Sequence, residues 1–453
     1  MKKNLLLTAS LAFAISAFAQ DIQGSWSGVL DLGIMNLRVV FHIEKTADGY
    51  STTMDSPDQG AKGIPTTSTI FEKQQLKIQM VDMGISFEGL LQNDTVKGMF
   101  SQMGYTFPLL LTRGEIAAVI RPQDPVPPYP YNTEDVRFEN EEAGITLAGT
   151  LSWPKEGKNF PIAILVTGSG RQNRNEEVVG HRPFLVLSDY LTRNGIAVLR
   201  YDDRGVAESG GDYATATLYD FSTDAAATVK YVKTRREIDT KKIGIIGHSV
   251  GGTIAFMLAG ADNSDLAYIV SMAGMAIPGD TLLRMQRYLI ANASGVSDED
   301  IAKNEALVVR IYNIIDNYSE DYILQNIATI ADEILPDSLK GNKEAGVAVE
   351  QEIKLMMSPE FISIRDYNPT GVLAKIKCPV LALNGEKDLQ VPADANLNRI
   401  KALVKSPVTI KKYPNLNHLL QHCTTGLPVE YGTIEETISP EVLNNIATWI
   451  KQL

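Results

Sequence analysis

Gly247-His248-Ser249-Val250-Gly251 follows a short apolar run at 243–246 and precedes a small, apolar segment at 252–259 that reads as a helix. Strand, tight turn and helix are the setting of a nucleophile elbow, G-x-S-x-G. The two glycines have a steric reason to be there. Side chains at 247 and 251 would collide with the neighbouring strand and helix. Such a turn pushes the Ser249 hydroxyl out at the carboxyl edge of a sheet and aims the Val250 amide at a developing oxyanion.

Working outward from the elbow, residues 132–453 alternate strand and helix patterns. Alternating strands are expected around Val136 and Phe138 and from Ile145 to Leu151, then a buried-type strand at 162–166. A helix at 183–194, a strand at 196–199 and a helix at 217–235 lead to the elbow strand. Further strands fall at 268–270, 380–383 and 408–410, and Ser439-Pro440 opens the last helix. This order predicts an α/β fold whose mostly parallel sheet is covered on both faces. The stretch 281–370 interrupts it with helical periodicity: Leu307, Ile311, Ile314 and Ile315 share one face, and Ile323, Ile327, Ile330 and Ile334 another. It is expected to be a helical cap with its own small core, placed over the site as a lid.

A serine nucleophile needs a base held in one tautomer by a carboxylate. The chain has five histidines. His42 is expected on the surface of an N-terminal strand, and His248 is expected to point away from Ser249. His181 precedes the nucleophile and could line the pocket. His418 lies just past the strand at 408–410 and is the expected base, with His422 the runner-up. Asp388, just past the strand at 380–383, is the expected carboxylate, ahead of Glu386 and Asp394. The second oxyanion amide should come from the loop Thr167-Gly168-Ser169-Gly170, from Ser169 or else Gly170. That loop carries neither G-x-G-x-x-G nor a Walker lysine, so a nucleotide site is not expected. Asp203-Arg204-Gly205 is expected to tie adjacent loops together. No His/Cys/Asp cluster has ligand spacing, so neither metal nor cofactor is expected.

Residues 20–114 read as a small all-β domain, a barrel or curled sheet. Leu37, Val39, Phe41 and Ile43 alternate with polar neighbours, and the pattern recurs at 76–80, 96–100 and 105–111. A proline-rich linker at 115–131 contains Pro122, Pro125, Pro127, Pro128 and Pro130. Residues 1–19 pattern as a secretory signal: Lys2 and Lys3, an apolar stretch, then Ala17-Phe18-Ala19. A periplasmic or secreted protein with no membrane span is expected. The formal charge of −12 gives no reason to expect nucleic acid as a partner. Cys378 and Cys423, at opposite ends of their region, are expected to be free, mostly buried thiols.

Over roughly 130–453 the chain resembles the α/β-hydrolase superfamily in its bacterial esterase and serine-aminopeptidase-like branch, EstD-type carboxylesterases above all. The resemblance rests on Thr167-Gly168-Ser169-Gly170, Gly180-His181-Arg182-Pro183-Phe184, the run 201–206, the elbow through Gly252, the run 378–388, Leu416-Asn417-His418-Leu419 and the run 435–440. It implies Ser249 as nucleophile with Asp388 and His418 as partners. Val250 replaces the acidic residue common in that elbow, and Ala207 stands where a second glycine is usual. The resulting expectation is a secreted serine hydrolase of small carboxylic esters, working through an acyl-enzyme. Peptidase, aminopeptidase, thioesterase and lactonase chemistry share the triad, and a non-catalytic secreted binding protein is the reading from another class. An acidic anchor for a substrate amino terminus is not identifiable in the sequence. The absence of propeller-type repeats speaks against a dipeptidyl-peptidase.

Overall fold

Apolar and polar side chains alternate along the first third of the chain, and each alternating run becomes a strand. The structure, a computed structural model, describes residues 21–31, 36–57, 61–102, 105–114 and 121–453. The expected signal at 1–19 and the start of the linker, 115–120, lie outside the described residues. Among the described residues nine strands form the N-terminal sheet: β1 (Gly24–Asp31), β2 (Asn36–Thr46), β3 (Gly49–Ser56), β4 (Ala61–Pro65), β5 (Ser68–Glu72), β6 (Gln75–Met80), β7 (Ile85–Gln92), β8 (Thr95–Gln102) and β9 (Tyr105–Arg113). Their order is β4-β3-β2-β1-β9-β8-β7-β6-β5. Thr69 of β5 donates from Oγ1 to Thr52 Oγ1 of β3 (2.8 Å), which draws the far edge toward β3 and curls the sheet. Trp26 is fully buried, and Arg113 lies 4.3 Å over its ring. His42 does not stand free on the surface. It is held between Ser25 Oγ (2.9 Å) and Asp55 Oδ2 (3.0 Å), because the neighbouring strands bring both within reach.

The second unit contains eight strands and eleven helices among the described residues. Its elements are β10 (Tyr131–Asn140), β11 (Ile145–Pro154), β12 (Phe160–Val166), α1 (Pro183–Arg193), β13 (Ala197–Tyr201), α2 (Leu218–Val232), β14 (Ile238–His248), α3 (Val250–Ala259) and β15 (Tyr268–Met272). Six helices follow: α4 (Gly279–Ala293), α5 (Asp298–Asn317), α6 (Glu320–Ile334), α7 (Lys343–Met356), α8 (Pro359–Asp366) and α9 (Thr370–Leu373). The unit closes with β16 (Val380–Gly385), α10 (Ala393–Leu403), β17 (Val408–Tyr413) and α11 (Pro440–Lys451). The sheet order is β10-β11-β13-β12-β14-β15-β16-β17. β10, β11 and β13 pair antiparallel, and the pairs from β13 through β12 to β17 are parallel.

Period-two alternation sends successive side chains of β12 into different cores. Ile162, Ile164 and Val166 join α2, α3 and α10, whereas Ala163 and Leu165 join α1 and α11. The helices therefore cover both faces. The inserted helices keep a separate core in which Ile311, Ile323, Ile330, Ile334 and Ile353 are buried together. Arg204 ties its loop to α2 through Asp224 (2.7 Å) and Asp220 (3.0 Å). Ala207, at the position where glycine is usual, takes a φ of 47°.

The described part of the linker does not hang as a spacer. The Arg121 guanidinium donates to the carbonyls of Val179 (3.1 Å), Gly432 (3.0 Å) and Ile434. Gln123 bonds Thr437 and Ile438. Both cysteines are free and half-buried, and burial pushes the Cys378 thiol up to about 11. Among the described residues no helix is long and apolar enough to cross a membrane.

Candidate active site

The elbow is as tight as its glycines predict. A Cβ on Gly247 would sit 2.0 Å from the Gly251 carbonyl oxygen, and one on Gly251 would sit 2.0 Å from that of Val166. Ser249 takes φ 53° and ψ −120°, outside the regions side chains prefer, while its amide donates to Met272 O (2.8 Å). Val250 opens α3, so its N–H belongs to the first turn, where no carbonyl of the helix can accept it.

Asp388 and His418 follow β16 and β17 at the same sheet edge. Their side chains are buried, and His418 Nδ1 lies 2.8 Å from Asp388 Oδ2. The other carboxylate oxygen accepts the amides of Gln390 and Val391, each at 2.8 Å. These bonds hold the carboxylate to accept from Nδ1–H, which leaves Nε2 as the ring's acceptor. The Ser249 hydroxyl makes no protein hydrogen bond among the described residues. It shares a cavity of about 410 Å³ with His418, Ser169, Gln390 and Tyr431.

The remaining histidines are accounted for elsewhere. His422 is exposed and bonded to Glu436 (2.8 Å). His181 is fully buried between Thr437 Oγ1 and Tyr431 O, and burial pushes it down to about 4. Asp394 pairs with Lys412, and Glu386 is exposed.

His248 behaves differently from the sequence expectation. Its ring lies 4.8 Å from that of His418 and lines the same cavity. Nδ1 is 2.9 Å from Glu176 Oε1, and Nε2 is 3.0 Å from the His418 carbonyl. A carbonyl only accepts, so Nε2 carries a proton, and the carboxylate calls for a second on Nδ1. Burial works against the resulting imidazolium. The charge and hydrogen bond of Glu176, helped by the His418 carbonyl and Asp388, outweigh it and raise His248 to about 9. Two facing groups of opposite charge satisfy one another, and that pulls the ring toward Glu176 rather than out of the site.

Three carboxylates stake the loop 167–172. Asp203 accepts Thr167 Oγ1 (2.7 Å) and the Gln172 amide (3.0 Å). Glu176 accepts the Gly168 amide (2.9 Å), and Glu360 of α8 accepts the Gly170 amide (3.0 Å). The Gly170 N–H is thus committed to α8. Of the three successive amides, that of Ser169 alone has no protein acceptor among the described residues. Glu176, His248 and Glu360 are neighbours of the candidate site that sequence reasoning missed. Only proximity to the elbow and to the glycine loop could have flagged the first two.

A family model described as X-Pro dipeptidyl-peptidase (S15 family) matches residues 143–420, more than half of the chain. The chain is 24% identical over 366 residues to Esterase EstD of Thermotoga maritima, covering 76% of this chain and 79% of that protein. Among solved structures it is similar to the Pyrococcus furiosus esterase Pf2001 (TM-score 0.41, 16% identity, 71% of this chain and 93% of that one). It is similar also to Est1E of Butyrivibrio proteoclasticus bound to ferulic acid (TM-score 0.40, 17% identity, 70% and 96%).

Proposed function

The chain belongs to the X-Pro dipeptidyl-peptidase (S15) family, and from that premise we propose that it is a secreted serine hydrolase that cleaves carboxylic esters. The observation that carries this reading is the buried Asp388–His418 pair, whose His418 lines one cavity with a serine on a strained elbow. Likeness to an esterase over three quarters of the chain favours the ester as substrate.

In this reading Ser249 Oγ attacks the ester carbonyl and passes its proton to His418 Nε2. Asp388 holds the imidazolium that forms. The amides of Val250 and Ser169 receive the oxyanion, and the bond from Gly170 to Glu360 fixes the loop that presents Ser169. Collapse expels the alcohol with the proton from His418, leaving an acyl group on Ser249. A water deprotonated by His418 then releases the carboxylic acid. The lysines and apolar run at 2–18 support export to the periplasm or beyond.

Peptide cleavage is the second reading, and one specific observation favours it beside the family's name. Glu176 lines the cavity beside the nucleophile, and its buried Oε2 has no hydrogen-bond partner among the described residues, a carboxylate with bonding capacity to spare for a substrate amine. The lack of propeller repeats does not separate this chain from a family named for dipeptidyl-peptidases. Turnover of p-nitrophenyl esters set beside aminoacyl and X-Pro p-nitroanilides decides between the two. Ester turnover at least tenfold above any anilide supports the esterase, and the reverse ratio overturns it.

A further inference from the structure

The helix α4 packs Leu282 and Met285 on the sheet core, and its apolar side chains beyond Met285 belong to no core among the described residues. Only Gly279 and Leu282 of this helix are buried. The core of the inserted helices draws its buried side chains from α5 to α7 and takes none from α4. Tyr288, Ile290 and Ala291 line a second, open cavity of about 1120 Å³, faced on its other side by Ile301 and Ala302 of α5. Tyr288 is 46% exposed there. An uncovered apolar surface of this size marks a place where something binds.

What binds is indicated by where the cavity leads. Ile290 and Ser294 line both this cavity and the one that holds Ser249 and His418. They are four residues apart, one above the other on the same helix face. A single wall therefore runs from the nucleophile into the cap. We infer that the α4–α5 cavity receives a long apolar chain of the substrate, continuing from the scissile ester past Ile290 and Ser294. This rests on the ester reading above and narrows it to esters with long aliphatic chains. The occupant that reaches this surface from Ser249 is the substrate itself, and that favours a chain over a separate protein partner.

Burying each added methylene improves transition-state binding by up to about fourfold. A cavity of about 410 Å³ stops contributing once a short acyl group fills it, whereas the joined cavities do not. The experiment uses the full chain and two ester series with 2 to about 16 carbons. One series lengthens the acyl group of p-nitrophenyl esters, and the other lengthens the alcohol of acetate esters. A rise in kcat/KM continuing past about eight carbons in one series supports the inference and tells which side of the ester enters the cap. Ile301→Asp, which places a charge in the cap cavity, and Ala302→Trp, which fills it, should each lower the long-to-short ratio at least tenfold. Binding of a fluorescent 16-carbon fatty acid to the Ser249→Ala protein gives a readout that needs no turnover. Micromolar binding lost in the Ile301→Asp background supports the inference. A plateau at short chains in both series, or fatty-acid binding that Ile301→Asp leaves unchanged, overturns it while ester cleavage stands. Absence of ester turnover with retained, Ile301-dependent fatty-acid binding overturns the ester reading alone.

Discussion

The substitution Glu176→Gln removes the charge that keeps His248 protonated, and the consequence can be worked from the site. His248 is raised from its ordinary 6.5 to about 9, which corresponds to about 3 kcal/mol. Because the folded value lies above the unfolded one, this stabilisation is fully present below pH 6.5 and is lost as pH rises through 9. Linkage keeps about 3 kcal/mol at pH 6, most of it at pH 7 and almost none at pH 9. The substituted amide supplies no charge, so the variant should be less stable by roughly these amounts. The Glu176 Oε1 that bonds Nδ1 also accepts the Gly168 amide, so the substitution loses one of these two bonds at every pH, and the pH-dependent part of the effect reports the charge. Stability is measured by guanidinium unfolding in a Trp26→Phe background, where fluorescence comes from Trp153 and Trp449 of the second unit alone. A destabilisation that is constant from pH 6 to pH 9, or that grows with pH, would refute the imidazolium–carboxylate assignment.

Other substitutions test the remaining parts. Ser249→Ala and His418→Ala should each lower kcat by about 10⁴ to 10⁶, as for triad members generally. His422→Ala should change kcat less than about threefold, because its ring is occupied by Glu436 at the surface; initial rates on one ester check all three. Asp388→Asn should cost about 10⁴ in kcat with the fold intact by circular dichroism, since the amide favours the wrong tautomer. Buried His181 has the opposite linkage to His248. Its folded value of about 4 lies below 6.5, so unfolding free energy should drop by about 3 kcal/mol as pH falls from 6.5 to 4, and a His181→Gln variant should lack that slope. Gly251→Ala should prevent accumulation of soluble protein, because its Cβ would overlap the Val166 carbonyl; solubility on expression reports this.

The elements of the second unit were legible because each carries its own periodicity. The strand at 162–166 and the elbow strand read as continuous apolar runs, as strands buried on both faces must. The faces named for α5 and α6 are those that pack in the separate core of the inserted helices. His418 was legible from its place past a strand, and its partner Asp388 from the strand before. Glu176 and Glu360 were not, for a physical reason. Each acts through a contact distant in sequence, Glu176 on His248 72 residues away and Glu360 on Gly170 190 residues away. Neither sits in a pattern that periodicity can register. His248 was misplaced because chain geometry alone sends the residue before a nucleophile outward, and the buried carboxylate that holds it in was invisible. The linker likewise shows its prolines in sequence, but not that Arg121 reaches carbonyls more than 300 residues later.

Covalent capture of the nucleophile tests the central claim most directly. The protein is treated with a fluorophosphonate, digested, and the modified residue located by mass spectrometry. The account predicts one phosphonylated site, Ser249, with labelling blocked by a competing ester and abolished together with ester turnover in Ser249→Ala. Ester turnover that persists in Ser249→Ala, or a label found on another serine while Ser249 stays unmodified, would contradict it.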